Sequence, residues 1–271
     1  MKRLIYTTLL VSGLAGVMAP GAFAQQDTVV RDTVIKKIAK YTLNIGGGSL
    51  ITKKTDSLDK AKKGRFVGGI TFTRVDWGFS RLIDNGSFNL SPNNDFLDYK
   101  GGKTSTFSFD VLQLGYRFNS NFKVYVAGGF DWTLIRLRKD ITIAKNSSEF
   151  VYTDQSPVHF SKNRFSSSYV HIPLNFEFRT SENKNSKRFY LVLGPEVSFL
   201  LNGKIKQVSE ERGKEKQYDS YHFQSVRYGG TVRFGYGGIG LFTKYYFNDM
   251  FTTAQQAGLK NMSFGVTFGL N

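Results

Sequence analysis

The 271-residue chain has no cysteine, only five prolines and only three histidines. Without cysteine there is no disulfide framework and no thiolate metal site, so the fold must hold by packing and hydrogen bonds. Long apolar runs are missing beyond the N-terminus, which excludes helical membrane spans of about 20 residues. Acidic residues are scarce, 21 against 37 lysines and arginines, for a formal charge of +16. Such an excess raises nucleic acid as a partner. The first 24 residues argue against it.

Residues 1–24 read as an export signal. Lys2 and Arg3 precede the apolar run "LIYTTLLVSGLAGVMA", Pro20 ends it, and Ala22-Phe23-Ala24 offers a small-x-small cleavage site before Gln25. No cysteine follows for a lipid anchor. Residues 25–64 are Lys- and Thr-rich and poor in aromatics, with a Gly46-Gly47-Gly48 break. They read as a basic, partly flexible extension with one or two short strands.

What is plentiful lies beyond Gly64: glycine (28 in all) and aromatics (15%). There the apolar residues recur every second position. In 164–180, Val170, Ile172, Leu174, Phe176 and Phe178 share one face, and His171, Asn175, Glu177 and Arg179 the other. The final "NMSFGVTFGLN" alternates to its end. Period-two patterning predicts strands at about 65–79, 103–118, 121–138, 164–180, 187–202, 222–235, 237–247 and 260–270. Strand one changes parity near Thr73-Arg74, which predicts a bulge. Asp110 shares the parity of Leu112 and Leu114, so it sits at the far interface or the phase slips there.

The connections alternate strictly between long (80–102, 139–163, 203–221, 248–259) and short. Long outer loops and short periplasmic turns have that rhythm in an outer-membrane barrel. The expected fold is therefore all-β, an eight-stranded antiparallel up-and-down transmembrane barrel over 65–271, monomeric, with both termini in the periplasm. Phe118, Phe122, Phe178, Phe189, Phe234 and Phe268 flank the short turns as an interfacial ring, with Trp132, Phe199, Tyr245 and Phe247 as candidates for the other ring. The opposite parity is charged. Arg74, Asp76, Asp131, His171, Asn175, Glu177, Arg188, Glu196, Arg227, Arg233 and Lys244 form the expected inner set, a polar lumen network, since no soluble core would hold so many charges. Pro173 and Pro195 should fall near each other across one ladder and break it, with Pro173 opposite about residue 194.

No catalytic, cofactor or metal motif stands out. "GYGGIG" (235–240) lies between strands and opens no helix, so it is no nucleotide loop. His159, near Ser156, Ser161 and Asp154, and His222 are the rim candidates for a lipid A-modifying activity. Segment 202–220, dense in both charges, reads as an outer loop. Arg136, Arg138, Lys139, Arg164, Lys204 and Lys206 near the strand tops are candidate contacts for glycolipid phosphates.

"YVHIPLNFEF" (169–178), "RYGGTVRFGYGGIGLFTKYYFNDMF" (227–251) and the Gly-rich terminal strand resemble the PorT-like outer-membrane β-barrel family of Gram-negative bacteria. His171 stands where that family usually has Glu. The resemblance covers about 65–271 and implies a barrel in the outer membrane. For some members it implies a part in type IX protein secretion. The expected role is structural or interaction-based, with a periplasmic or secretion-system protein docking through 25–64. A narrow pore and a rim enzyme are the alternatives.

Overall fold

The computed structural model describes residues 43–45, 48–49, 64–181 and 187–269. The export signal and nearly all of the extension lie outside the described residues.

Eight strands close a ring: β3 (Arg65–Asp84), β4 (Ser105–Arg117), β5 (Phe122–Arg136), β8 (Lys162–Arg179), β9 (Phe189–Ser209), β11 (Val226–Tyr236), β12 (Ile239–Tyr246) and β13 (Leu259–Gly269). Neighbours pair antiparallel in chain order, and β13 returns to pair with β3. Closure leaves no free sheet edge to meet a bilayer. At this seam Gly78 is directly opposite Gly265. Two short strands precede the ring: β1 (Leu43–Ile45) runs parallel to β3 at Gly68–Ile70 and antiparallel to β2 (Gly48–Ser49).

Both expected irregularities appear. The β3–β4 register shifts between Ile70 and Arg74, and the β4–β5 register shifts between Asp110 and Leu112. The second bulge turns Asp110 inward while Leu114 faces out. The prolines do interrupt the sheet, but the register differs from expectation by two: Pro173 lies opposite Glu196. Rungs are missing between Pro173/Glu196 and Phe176/Leu193, where Pro195 falls, and between Val126/Leu174 and Gly129/His171, beside Pro173. Each proline lacks the N–H of a rung. The β8–β9 ladder that carries both prolines is thus broken as expected, and Pro173 opens a second break on the adjacent β5–β8 ladder.

The outward face is apolar and aromatic. Phe66, Tyr116, Phe118, Phe122 and Phe178 form a continuous chain of ring contacts, each pair of neighbours 4.9–5.3 Å apart. Phe189 extends the belt to Phe234 and Tyr236. Such rings sit where hydrocarbon meets water. Trp132 lies in a cluster with Phe107, Phe109 and Phe130, and Phe247 meets Tyr228 and Tyr245.

The inner parity changes character along the barrel. At the long-loop end it turns apolar: Leu82, Ile135, Phe165, Ile205 and Leu259 point inward and are fully buried. The long connections fold down on them. Phe96, Ile141, Ile143, Phe150, Phe223 and Phe251 complete one buried cluster that caps the lumen. The third connection holds a hairpin of β6 (Ile141–Ile143) and β7 (Tyr152–Asp154).

Segment 202–220 is corrected: it is strand, not loop. β9 continues to Ser209 and β10 (Gly213–Asp219) returns beside it. The alternation of Gly203, Ile205 and Gln207 with Lys204 and Lys206 was hidden because cations, not apolar residues, occupy the outward positions.

Candidate functional site

The middle of the lumen is a charge network drawn from facing strands. Arg233 on β11 grips Asp76 on β3, with Nη2 and Nε at 2.7 and 3.0 Å from Oδ2. Lys244 on β12 reaches Asp131 on β5 at 2.6 Å and Glu196 on β9 at 2.9 Å. Tyr246 donates to the same cluster, with its hydroxyl 3.0 Å from Glu196 and 3.2 Å from Asp131. The Arg227 guanidinium lies between the rings of Tyr169 and Tyr246, 3.5 and 4.0 Å from their centres. His171 Nε2 bonds Asp110 Oδ1 at 2.7 Å. Charge balances: Asp76, Asp110, Asp131, Glu177 and Glu196 against Arg74, Lys123, Arg227, Arg233 and Lys244. Pairing on this scale is what lets ions sit away from water.

Of the sequence-proposed lumen set, Asp76, Asp131, His171, Asn175, Glu177, Glu196 and Arg233 are buried inside the ring. Arg74 faces the lumen at the short-turn end, with Nη2 3.4 Å from the Tyr125 hydroxyl. Arg188 is at the short-turn mouth, donating to the Ser120 carbonyl at 2.6 Å. Asn175 makes no side-chain hydrogen bond. The sequence reading put Lys123 and Tyr169 on the inward parity without counting them in the network, and missed Asp110 and Tyr246. Asp110 was obscured by the bulge that follows it.

Asp131, His171 and Glu196 bring ligand atoms within 4.8 Å of one another, a metal-like constellation. The Lys244 ammonium already stands between the two carboxylates. It supplies the positive charge that a metal would bring.

On the outward face the apolar parity gives way to cations. Arg136 is directly opposite Arg164, Arg164 opposite Lys206, and Lys206 opposite Lys216. This row crosses four adjacent strands, β5, β8, β9 and β10, a span of roughly 14 Å at about 4.8 Å per strand. Lys204 stands one outward position nearer the belt, its Nζ 4.8 Å from the Tyr218 ring centre. A hydrogen bond from that ammonium lowers the pKa of the Tyr218 phenol. Lys162 and Lys214 flank the row one outward position farther from the belt, about Val208. Among the described residues no carboxylate forms an ion pair with any of these seven cations. Arg138 and Lys139 are not part of the row: the Arg138 Nε donates to the Tyr99 carbonyl at 3.0 Å, beside Asp98, and Lys139 pairs with Asp95. Lys162, Lys214 and Lys216 were not picked out from sequence, because their strands were read as starting late or as a loop.

Residues 41–270 match the family described as outer membrane protein beta-barrel domain. The chain belongs to that family. The barrel is thus an outer-membrane one, with its apolar face to lipid. No curated protein matches the chain. Among solved structures it is similar to the attachment invasion locus protein Ail of Yersinia pestis, crystallised with the heparin analogue sucrose octasulfate. Identity is 16%, coverage is 76% of this chain and 98% of that one, and the TM-score is 0.30.

The rim at the long-connection end of this outer-membrane barrel holds the two remaining histidines. His159 Nδ1 is 2.6 Å from Asp140, a partner that sequence proximity did not suggest. His222 Nε2 is 3.1 Å from the Glu149 carbonyl. The serine hydroxyl nearby is engaged elsewhere: Ser161 donates to the Val208 carbonyl. Tyr221, in the cap, has its phenol pushed up to about 12 by burial.

Proposed function

We propose that the chain is a non-conducting outer-membrane protein that binds the phosphates of outer-leaflet glycolipid on one side of its barrel. The row Arg136–Arg164–Lys206–Lys216 carries this reading. Like charges set directly opposite one another destabilise a sheet, so four in register need counter-anions. The row lies on the outward face, beyond the apolar belt, at the end bearing the long connections. In the orientation that outer-membrane barrels adopt, that end is extracellular. Anionic head groups there meet the row at roughly the level of the membrane surface, where each cation contributes about 1 kcal/mol. The capped, charge-filled lumen supports a scaffold over a pore.

Glycolipid carried through purification tests the reading. In a variant combining Arg164→Gln, Lys206→Gln and Lys216→Gln, retained glycolipid should fall severalfold while the barrel stays folded. Unchanged retention would overturn it. A bilayer conductance trace addresses the pore, and lipid A mass spectra with and without the chain address a rim enzyme built on His159.

One observation favours a second, compatible role. Strand β1 ties part of the extension to β3 at Gly68–Ile70. A segment held there is placed for docking a periplasmic partner, and the PorT-like resemblance names a secretion apparatus as the kind of partner. Affinity capture with residues 25–40 deleted or retained decides. Recovery that ignores the deletion removes this role.

A further inference from the structure

At the long-connection end the β9–β10 hairpin has one side unpaired. β10 pairs with β9 alone, and on its other edge no strand pairs and no backbone hydrogen bond forms among the described residues. The open groups can be named. Ser161 and Ser166, on the β8 side, donate to the carbonyls of Val208 and Lys204, each at 3.1 Å. In an antiparallel strand the N–H and C=O of one residue point to the same side. Lys204, Lys206 and Val208 therefore turn their backbone towards β8. The residues opposite them, Tyr218, Lys216 and Lys214, then turn theirs away from β9. Each presents an N–H and a C=O on the free edge.

The side chains of these three residues share the outward face, and Glu215 and Gln217 take the other. Lys206 and Arg164 continue the cations behind Lys216. An added strand would set its own outward residues directly beside Lys214, Lys216 and Tyr218. Carboxylates suit the first two positions, and an apolar residue suits the third. Edge lysines repel ordinary strands. The same lysines admit an acidic one. The hairpin is also held in place beforehand. Arg212 bonds Ser209 Oγ through its N–H at 3.0 Å and Gln155 through its guanidinium at 2.8 Å, and Asp219 accepts from the Asn146 N–H at 3.0 Å. Only the incoming segment has to be ordered.

We infer that the free edge of β10 receives an extended acidic segment of another protein, which joins the sheet as one more strand. That the partner comes from outside the cell rests on the orientation used in the proposed function. A second copy of this chain fits less well, because it would bring the same lysines together.

The test uses the folded full chain in detergent and a short labelled peptide that alternates glutamate with threonine. Fluorescence anisotropy at physiological salt should show saturable binding. Methylating the glutamate amides removes the donors that face β10 and should abolish it; methylating the threonine amides should not. A peptide with lysine in place of glutamate should not bind. Combining Lys214→Pro with Lys216→Pro removes two donors from the free edge and spares the β9–β10 ladder, which uses Glu215 and Gln217. It should weaken binding about tenfold or more. Lys214→Gln with Lys216→Gln loses the same charge but keeps the donors, and should weaken it less. Glycolipid retention should respond alike to the proline and glutamine pairs, so the two readings stand or fall separately. Four results would each overturn the inference: the peptide does not bind, either the lysine peptide or the glutamate-methylated one binds as tightly, the folded proline pair keeps full affinity, or the parent is a dimer that the proline pair splits.

Discussion

Lys244 on β12 reaches across the lumen to Asp131 on β5, bringing its ammonium within 2.6 Å of the carboxylate. The same nitrogen is 2.9 Å from Glu196. Removing it by Lys244→Ala leaves two buried carboxylates facing each other, at a cost of about 3–5 kcal/mol. His171 is close enough to complete a set of three ligands. Zinc should therefore bind the variant and recover part of the lost thermal stability, while the parent shows no zinc-dependent shift. Unfolding followed by heat-dependent gel migration, with zinc or with chelator, measures both.

Gly78 and Gly265 meet at the closing seam, and there they leave no room for a side chain. A Cβ on Gly265 would lie 2.4 Å from the Gly78 Cα and the same distance from the Trp77 carbonyl oxygen. The clash is with backbone, so no rotamer relieves it. Gly265→Val should prevent closure and yield a chain that migrates as unfolded without heating. Ser263→Val, on the same strand and inner face but without that backbone approach, should close, with a smaller loss of stability.

Much of this was legible in the sequence, because a barrel wall is written as alternation and alternation is local. The bulge at Thr73-Arg74 and the parity of His171 and Glu177 needed no partner strand to be seen. What was not legible depends on partners distant in sequence. Lys216 reads as one of many charges in 202–220 until Lys206 is placed opposite it. His159 looked towards Asp154 and Ser161, yet it pairs with Asp140. The cap was missed because its residues come from four connections, and Ile135 and Phe165 differ from the charged lumen residues only in their height.

Asp84 anchors the first long connection. Its carboxylate accepts from the Ser91 N–H at 2.7 Å, and from Asn94 and Asn85 at 2.9 Å. Burial would raise its pKa, but these hydrogen bonds together hold it below the ordinary carboxylate value. A depressed folded value means that the anchoring is fully present above about pH 4, the unfolded value, and is lost as pH falls through the folded one. Proteolysis within 85–97 by an acid-active protease should accelerate in that lower window. Asp84→Ala should show the fast cleavage at neutral pH as well.

Arg227 is held by two tyrosine rings, and its Nε and Nη1 have no hydrogen-bond partner. Stacking, then, rather than a salt bridge, keeps it in place. Arg227→Lys keeps the charge but loses the flat contact on both rings, and should cost about 1–2 kcal/mol. Arg227→Met keeps the bulk and removes the charge, leaving the nearby Asp131 and Glu196 with less compensation, and should cost more. Denaturant midpoints of the folded barrel order the two.

Pro173 and Pro195 remove rungs from neighbouring ladders at nearly one height, so there the wall is thin in the hydrogen bonds that resist hoop tension. Inside that level run the bonds from Lys244 to Asp131 and Glu196, and from His171 to Asp110. They join β12 to β5 across the diameter, and β12 to β9 and β8 to β4 past one intervening strand. The buried charges thus act as spokes, bracing a rim whose own stitching is interrupted.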